Sequence, residues 1–111
     1  MKWQILYYNS KLEQKILKLP DGLLAGYLRL TDLLLEFGSN LGLPHTKSMG
    51  NGLFELRVKS KEGIARVFFC TKVGMKIIML HFFIKKSQKT PKKEIQIAVS
   101  RMNEVVKNDA F

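Results

Sequence analysis

The sequence predicts an α+β domain with the element order βααβββα, in which a small, mainly antiparallel sheet carries an N-terminal helical hairpin and a C-terminal helix. Three observations predict it. Residues 10–37 and 90–106 place apolar side chains at helical spacing, and residues 53–85 hold three strand-like runs joined by connections too short for a crossover. The chain has 111 residues with 46% apolar and 25% charged content, enough for one core and no second domain. A domain of this size buries a modest share of its surface, so a functional site is expected on a shallow concave face.

Trp3, Ile5 and Tyr7 alternate with Lys2, Gln4 and Leu6 and predict a short first strand. Ser10 followed by Glu13 reads as a capping box, and Leu12, Ile16, Leu17 and Leu19 continue at helical spacing until Pro20. A second helix is expected from Asp21, whose carboxylate could cap it. Its broad apolar face, from Leu23 through Tyr27, Leu30 and Leu34 to Phe37, ends before Gly38. Residues 38–52 are rich in glycine, serine and asparagine and read as one long loop carrying His45 and Lys47.

The runs 53–59, 64–71 and 76–85 then form an antiparallel meander. The third run, which includes Ile78, Leu80 and Phe82 beside Ile77, Met79 and Phe83, is apolar on both faces and is expected to be the most buried strand, near the middle of the sheet. Thr90 as cap and Pro91 at the first helical position open the last helix, which Ile95, Ala98, Val99, Met102, Val105 and Val106 continue at helical spacing.

Nineteen lysines and arginines face nine acids, and the excess is local. Residues 45–93 hold twelve basic side chains and only Glu55 and Glu62, a charge of +10, whereas the flanking segments nearly balance. Such a segment repels itself, and a polyanion relieves the repulsion by counterion release, so nucleic acid is the first partner expected. An acidic protein or an anionic membrane would satisfy the same field. Cys70 is the only cysteine, which rules out an internal disulfide and leaves it as a small buried hydrophobe. No N-terminal apolar stretch resembles a signal peptide and no run reaches the roughly 18 residues of a membrane span, so a cytoplasmic protein is expected.

Arg57 and Arg66 give the sharpest chemical signal. With Lys61 and Glu62 as a two-residue turn, the two arginines lie opposite each other on one face of a hairpin. Adjacent guanidinium groups repel, and a phosphate between them converts that cost into bidentate binding. The alternative is that each arginine reaches water or pairs with Glu55 or Glu62. Lys85, Lys86, Lys89, Lys92 and Lys93 surround the start of the last helix, where free N–H groups also favour an anion, although such a run is often only a solvated face.

Metal chemistry has little support in the sequence. His45 and His81 are the only histidines, one in a loop and one in a buried strand, and the acids lack paired spacing. No metal and no cofactor are expected. What fits RNA is metal-free cleavage, in which the ribose 2′-hydroxyl attacks the neighbouring phosphate. Arg57 and Arg66 would stabilise charge, and a lysine crowded by cations, Lys85 or Lys86, would move a proton.

Leu53-Phe54-Glu55-Leu56-Arg57, Gly63-Ile64-Ala65-Arg66-Val67-Phe68-Phe69, the segment from Leu80-His81-Phe82-Phe83 through Lys85-Lys86-Ser87-Gln88-Lys89-Thr90-Pro91, Glu94-Ile95 and residues 98–101 together resemble the phage-derived HigB-like branch of the RelE/ParE toxin superfamily. The likeness covers about residues 50–105, and the preceding strand and helices agree in layout. It implies a RelE-like fold and a type II toxin that cuts translated messenger RNA on the ribosome. A cognate HigA-like antitoxin, with a helix-turn-helix, would neutralise it and alone contact operator DNA.

The resemblance also implies Arg57, Arg66, Lys85, Lys86 and the strand histidine His81 as catalytic residues. Lys47, Lys59, Lys61, Lys89, Lys92, Lys93 and His45 are then candidates for contacting RNA or the ribosome. Two positions depart from the pattern: Phe82 stands where a glycine usually follows the histidine, and no tyrosine follows Tyr27, whereas several relatives use a C-terminal tyrosine or acidic residue. The same fold also serves gyrase-inhibiting toxins of the ParE type, which need no catalytic face.

Overall fold

The computed structural model describes residues 2–85 and 89–111. Its elements are β1 (Gln4–Tyr7), α1 (Ser10–Leu17), α2 (Asp21–Phe37), a 3-10 turn (Gly38–Leu41), β2 (Thr46–Gly50), β3 (Leu53–Ser60), β4 (Gly63–Lys72), β5 (Lys76–Lys85) and α3 (Lys92–Lys107). The strands form one sheet in the order β1-β5-β4-β3-β2, with β1 parallel to β5 and every other pair antiparallel. This is the expected α+β fold with one strand more than the sequence suggested.

Strand alternation divides the core in two. Leu56, Val58, Ala65, Val67, Phe69, Ile77 and Met79 point to one face, where Leu12 and Ile16 of α1 and Leu23, Tyr27, Leu30 and Leu34 of α2 cover them. Phe68, Cys70, Ile78 and Leu80 point to the other, where Ala98, Met102 and Val105 of α3 pack. Burying both faces makes the inner strands read as continuous apolar runs. The central and most continuously buried strand is β4, which corrects the placement of β5: β5 is inside the sheet but flanked on its outer side by the short β1.

The stretch 38–52 is not a plain loop. Gly38 adopts φ 57° where a Cβ would meet the indole of Trp3, so only glycine lets the chain turn there. The chain then runs into β2, which closes on β3 through Asn51 and Gly52, both at positive φ as a two-residue hairpin turn requires. Thr46-Lys47-Ser48-Met49-Gly50 lacks apolar alternation because it is an edge strand, buried at Thr46 and exposed at Lys47 and Ser48.

The helix starts shift as well. Asn9, not Ser10, caps α1, its Oδ1 accepting from Leu12 N at 2.8 Å. Asp21 lies inside α2, whose first N–H groups, of Gly22 and Leu23, instead donate to Glu62 from the β3–β4 turn. Pro91 occupies the N-cap position of α3 and Thr90 is drawn to a different acceptor, described below. At the other end of α3, Lys72 Nζ donates to the carbonyls of Val105 and Asn108 at 3.0 and 2.8 Å, an expected use of a cation at a helix C-terminus.

Candidate nucleic-acid interface

Strand register builds the site. Ser60 pairs with Gly63 across a two-residue turn of Lys61 and Glu62, and this places Arg57 directly opposite Arg66. Both side chains lie on the α3 face, alternating with Leu56, Val58, Ala65 and Val67 on the other. Between β4 and β5, Phe68 pairs with His81 but Phe69 with Met79, so Leu80 is an extra residue in β5. Beyond that bulge His81, Phe83 and Lys85 fall on the α3 face, opposite Phe68, Arg66 and Ile64, while Phe82 packs in the α1/α2 core.

The far end of this face is a concave pocket of about 350 Å³. Lys47 of β2, Glu55 and Arg57 of β3, Arg66 of β4 and Lys85 of β5 line it, and Met49, Lys89 and Thr90 complete it. Among the described residues five cations thus surround one carboxylate. Their elements come from distant parts of the chain, so the sheet, and not local sequence, collects them.

Glu55 organises the floor. Its side chain is 2% exposed, and one oxygen, Oε1, accepts from both Arg66 Nη1 and Arg57 Nε, the latter at 3.4 Å. The other, Oε2, accepts from the Thr90 hydroxyl at 3.1 Å. The alternative weighed from the sequence therefore holds in part: Glu55 pairs with both guanidinium groups through one oxygen. Glu62 is engaged at the start of α2. Arg66 is 9% exposed by side chain and Arg57 is 27%, so Arg57 is the arginine that reaches the pocket's open side. Among the described residues Arg66 Nε is buried without a hydrogen-bond partner, and Nη1 binds Glu55.

Lys85 is the titratable group that stands out. Its ammonium is held below the ordinary lysine range, first by desolvation and then by the charge of Arg66; Arg57 and Lys59 add to the effect and Glu55 opposes it. Lys86, the other lysine named for proton transfer, lies outside the described residues. Lys59 sits two residues beyond Arg57 towards the hairpin end, on the same face, and Lys61 is exposed in the turn. Lys92 is exposed in the first turn of α3, and Lys93 lines a separate surface pocket beside Tyr8 and Glu104.

Neither histidine lines the pocket. His45 contributes its carbonyl, which accepts from Arg57 N at 2.8 Å, and the residue borders a groove beside Arg29 and Lys59. His81 lies parallel to the Phe68 ring at 6.4 Å between centroids, and its Nε2 stands 3.3 Å from Glu94 of α3. Burial pushes its pKa down, Glu94 pulls it up, and Arg101 and Lys15 push it down further. It lines a second cavity with Arg101 and α1.

Sequence reasoning offered Glu55 as a partner for either arginine but missed that it serves both at once, with Thr90 as its third donor. A signal existed for the first: Glu55 is two residues before Arg57, so the two share a face of one strand, diagonal to Arg66. Nothing local marked Thr90, because its partner is 35 residues away.

A family model described as phage derived protein Gp49-like (DUF891) matches residues 14–103. The matched span takes in β2 to β5 and every residue that lines the basic pocket. No curated protein matches the chain. No helix among the described residues is long and apolar enough to cross a membrane.

Proposed function

The chain belongs to the phage-derived Gp49-like family, a toxin-like family of the RelE type, and from that premise we propose that it is a HigB-like toxin that cuts messenger RNA on the ribosome, without a metal ion. Family membership implies an antitoxin partner; a HigA-like protein with a helix-turn-helix, which alone contacts operator DNA, fits that role. The work is done in the cytoplasm, where messages are translated.

The observation that carries the reading is the pocket in which Lys47, Arg57, Lys85 and Lys89 surround an arginine anchored by a buried carboxylate. The ribose 2′-oxygen attacks phosphorus, the bond to the 5′-oxygen breaks, and the products are a 2′,3′-cyclic phosphate and a free 5′-hydroxyl. The reaction needs an oriented phosphate, a sink for the charge growing on it, and movement of one proton from the 2′-hydroxyl to the leaving oxygen. Arg57 binds the phosphate. Arg66, fixed by Glu55, adds positive potential from beneath without having to reorganise. Lys85, or Lys86 beside it, moves the proton, helped by a lowered affinity for it. Lys47 and Lys89 bind neighbouring phosphates, and Lys59, Lys61, Lys92, Lys93 and His45 extend the contact with RNA or ribosome.

Inducible expression in bacteria tests this, with wild type, Arg57→Met and Lys85→Met compared by growth and by the 5′ ends of cellular messages. The expected result is growth arrest with new cuts inside translated frames, reduced about 100-fold in Arg57→Met, a usual cost of deleting one charge-stabilising group; a loss of about 100-fold or more in Lys85→Met assigns the proton transfer to Lys85, and undiminished cutting there assigns it to Lys86. Arrest without cuts would point instead to a protein target such as gyrase.

A further inference from the structure

His81 opens onto a second cavity of about 260 Å³, which Lys11 and Lys15 of α1 and Arg101 of α3 also line, with Leu12 and Phe82 as its apolar part. Among the described residues it shares no lining residue with the basic pocket. β1 pairs with β5 only as far as Met79, so no strand covers the edge of β5 at His81. Among the described residues no carboxylate lines the cavity. Glu94 meets His81 Nε2 from α3, and Arg101 is held by its bond to Leu80 O at 2.9 Å and by the Tyr8 ring, 4.6 Å below its guanidinium carbon.

Three like charges from two helices are thus gathered around one hollow. Lys11 and Lys15, four apart on α1, destabilise that helix by their mutual repulsion unless an anion lies between them. The volume lies just below the roughly 300 Å³ at which ligand pockets usually begin, which suits a phosphate with part of its sugar better than a larger molecule. We propose that this cavity is a second anion site, taking a phosphate group of a nucleotide or RNA strand between Lys11, Lys15 and Arg101, with His81 at its floor. It stands independently of whether the basic pocket cuts RNA.

The site couples binding to protonation. Glu94 accepts from Nε2–H of the neutral ring, which leaves Nδ1 as the proton acceptor. Burial, Arg101 and Lys15 hold the ring neutral against the pull of Glu94. An anion that cancels Arg101 and Lys15 raises the proton affinity of His81, and by reciprocity a lower pH tightens the anion.

Imidazole NMR of the full chain, titrated with inorganic phosphate at constant ionic strength, tests the site; His45→Gln assigns the signals. The expected result is a saturable shift of the His81 resonance and a rise in its titration midpoint, with affinity at least tenfold weaker in Lys11→Gln/Lys15→Gln. These lysines are exposed, so that variant keeps its fold. An oligouridylate without terminal phosphates that competes identifies an RNA backbone phosphate, and one that competes only with a 5′-phosphate identifies a monoester. The proposal is overturned by the absence of a saturable shift, by an unchanged affinity in the double variant, by a response lost in Lys47→Gln instead, or by displacement with oligoglutamate where phosphate has no effect.

Discussion

Replacing Glu55 with leucine removes a carboxylate that is 2% exposed and serves three donors on three separate segments. Arg57, 27% exposed, can turn to water, so its share of the loss is small, about 0–1 kcal/mol. The Thr90 hydroxyl loses one hydrogen bond, about 1 kcal/mol. Arg66 cannot leave: its side chain is 9% exposed, and an unpaired charge there costs about 3–5 kcal/mol. That is a large part of the roughly 5–15 kcal/mol that holds a domain folded. At roughly 4 °C per kcal/mol, the Arg66 share alone lowers Tm by about 12–20 °C.

Adding Arg66→Met to Glu55→Leu removes the stranded charge and fills the space with apolar atoms, so the double variant recovers most of the loss, a coupling of at least about 2 kcal/mol. Urea unfolding followed by circular dichroism on all four members of the cycle measures it. If Glu55→Leu lies within 1 kcal/mol of wild type on the order expected for a surface pair, or if the two changes simply add, Glu55 does not hold Arg66 and the account of the pocket floor is wrong.

Three other outcomes follow from the same structure. Tyr27 is fully buried and its hydroxyl meets that of Tyr7 at 2.7 Å, so Tyr7→Phe strands a polar group and lowers unfolding stability by about 1–3 kcal/mol, checked by denaturant titration. Cys70 is 2% exposed and burial pushes its thiol up to about 11, so iodoacetamide at pH 8 modifies it only at the rate of unfolding; fast labelling of the native protein contradicts the packing of the α3 core. Lys47→Gln weakens binding of single-stranded RNA and lowers the slope of log K against log salt by about 0.7, measured by fluorescence anisotropy, whereas an unchanged slope takes Lys47 off the RNA.

Periodicity made the helices and the meander legible, because apolar side chains at a spacing of two or of three to four can be buried in only one way. The opposition of Arg57 and Arg66 was equally legible, since a two-residue turn fixes the register of everything beyond it. β2 was not: its side chains face solvent at Lys47 and Ser48 and carry no apolar rhythm, although Asn51 and Gly52 together are a strong hairpin signal. The helix caps went astray by one residue or to distant partners, as with Glu62 on α2. The bulge at Leu80 decides which face His81 and Lys85 occupy, and it is set by packing of β4 and β5, which no local pattern in that apolar run announces. For the same reason His81, grouped with the arginines by motif, stands instead beside Glu94 and Arg101.

The central claim is that this basic pocket cuts RNA when a ribosome presents it. The most direct measurement is cleavage of one defined message by the purified protein in a reconstituted translation system, with and without ribosomes, comparing wild type with Arg57→Met, a variant that leaves the Glu55–Arg66 pair in place. Cuts that require ribosomes, end in a 2′,3′-cyclic phosphate and fall about 100-fold in the variant are the expected result. An intact message in the presence of translating ribosomes, or cutting that survives the loss of Arg57, would contradict it.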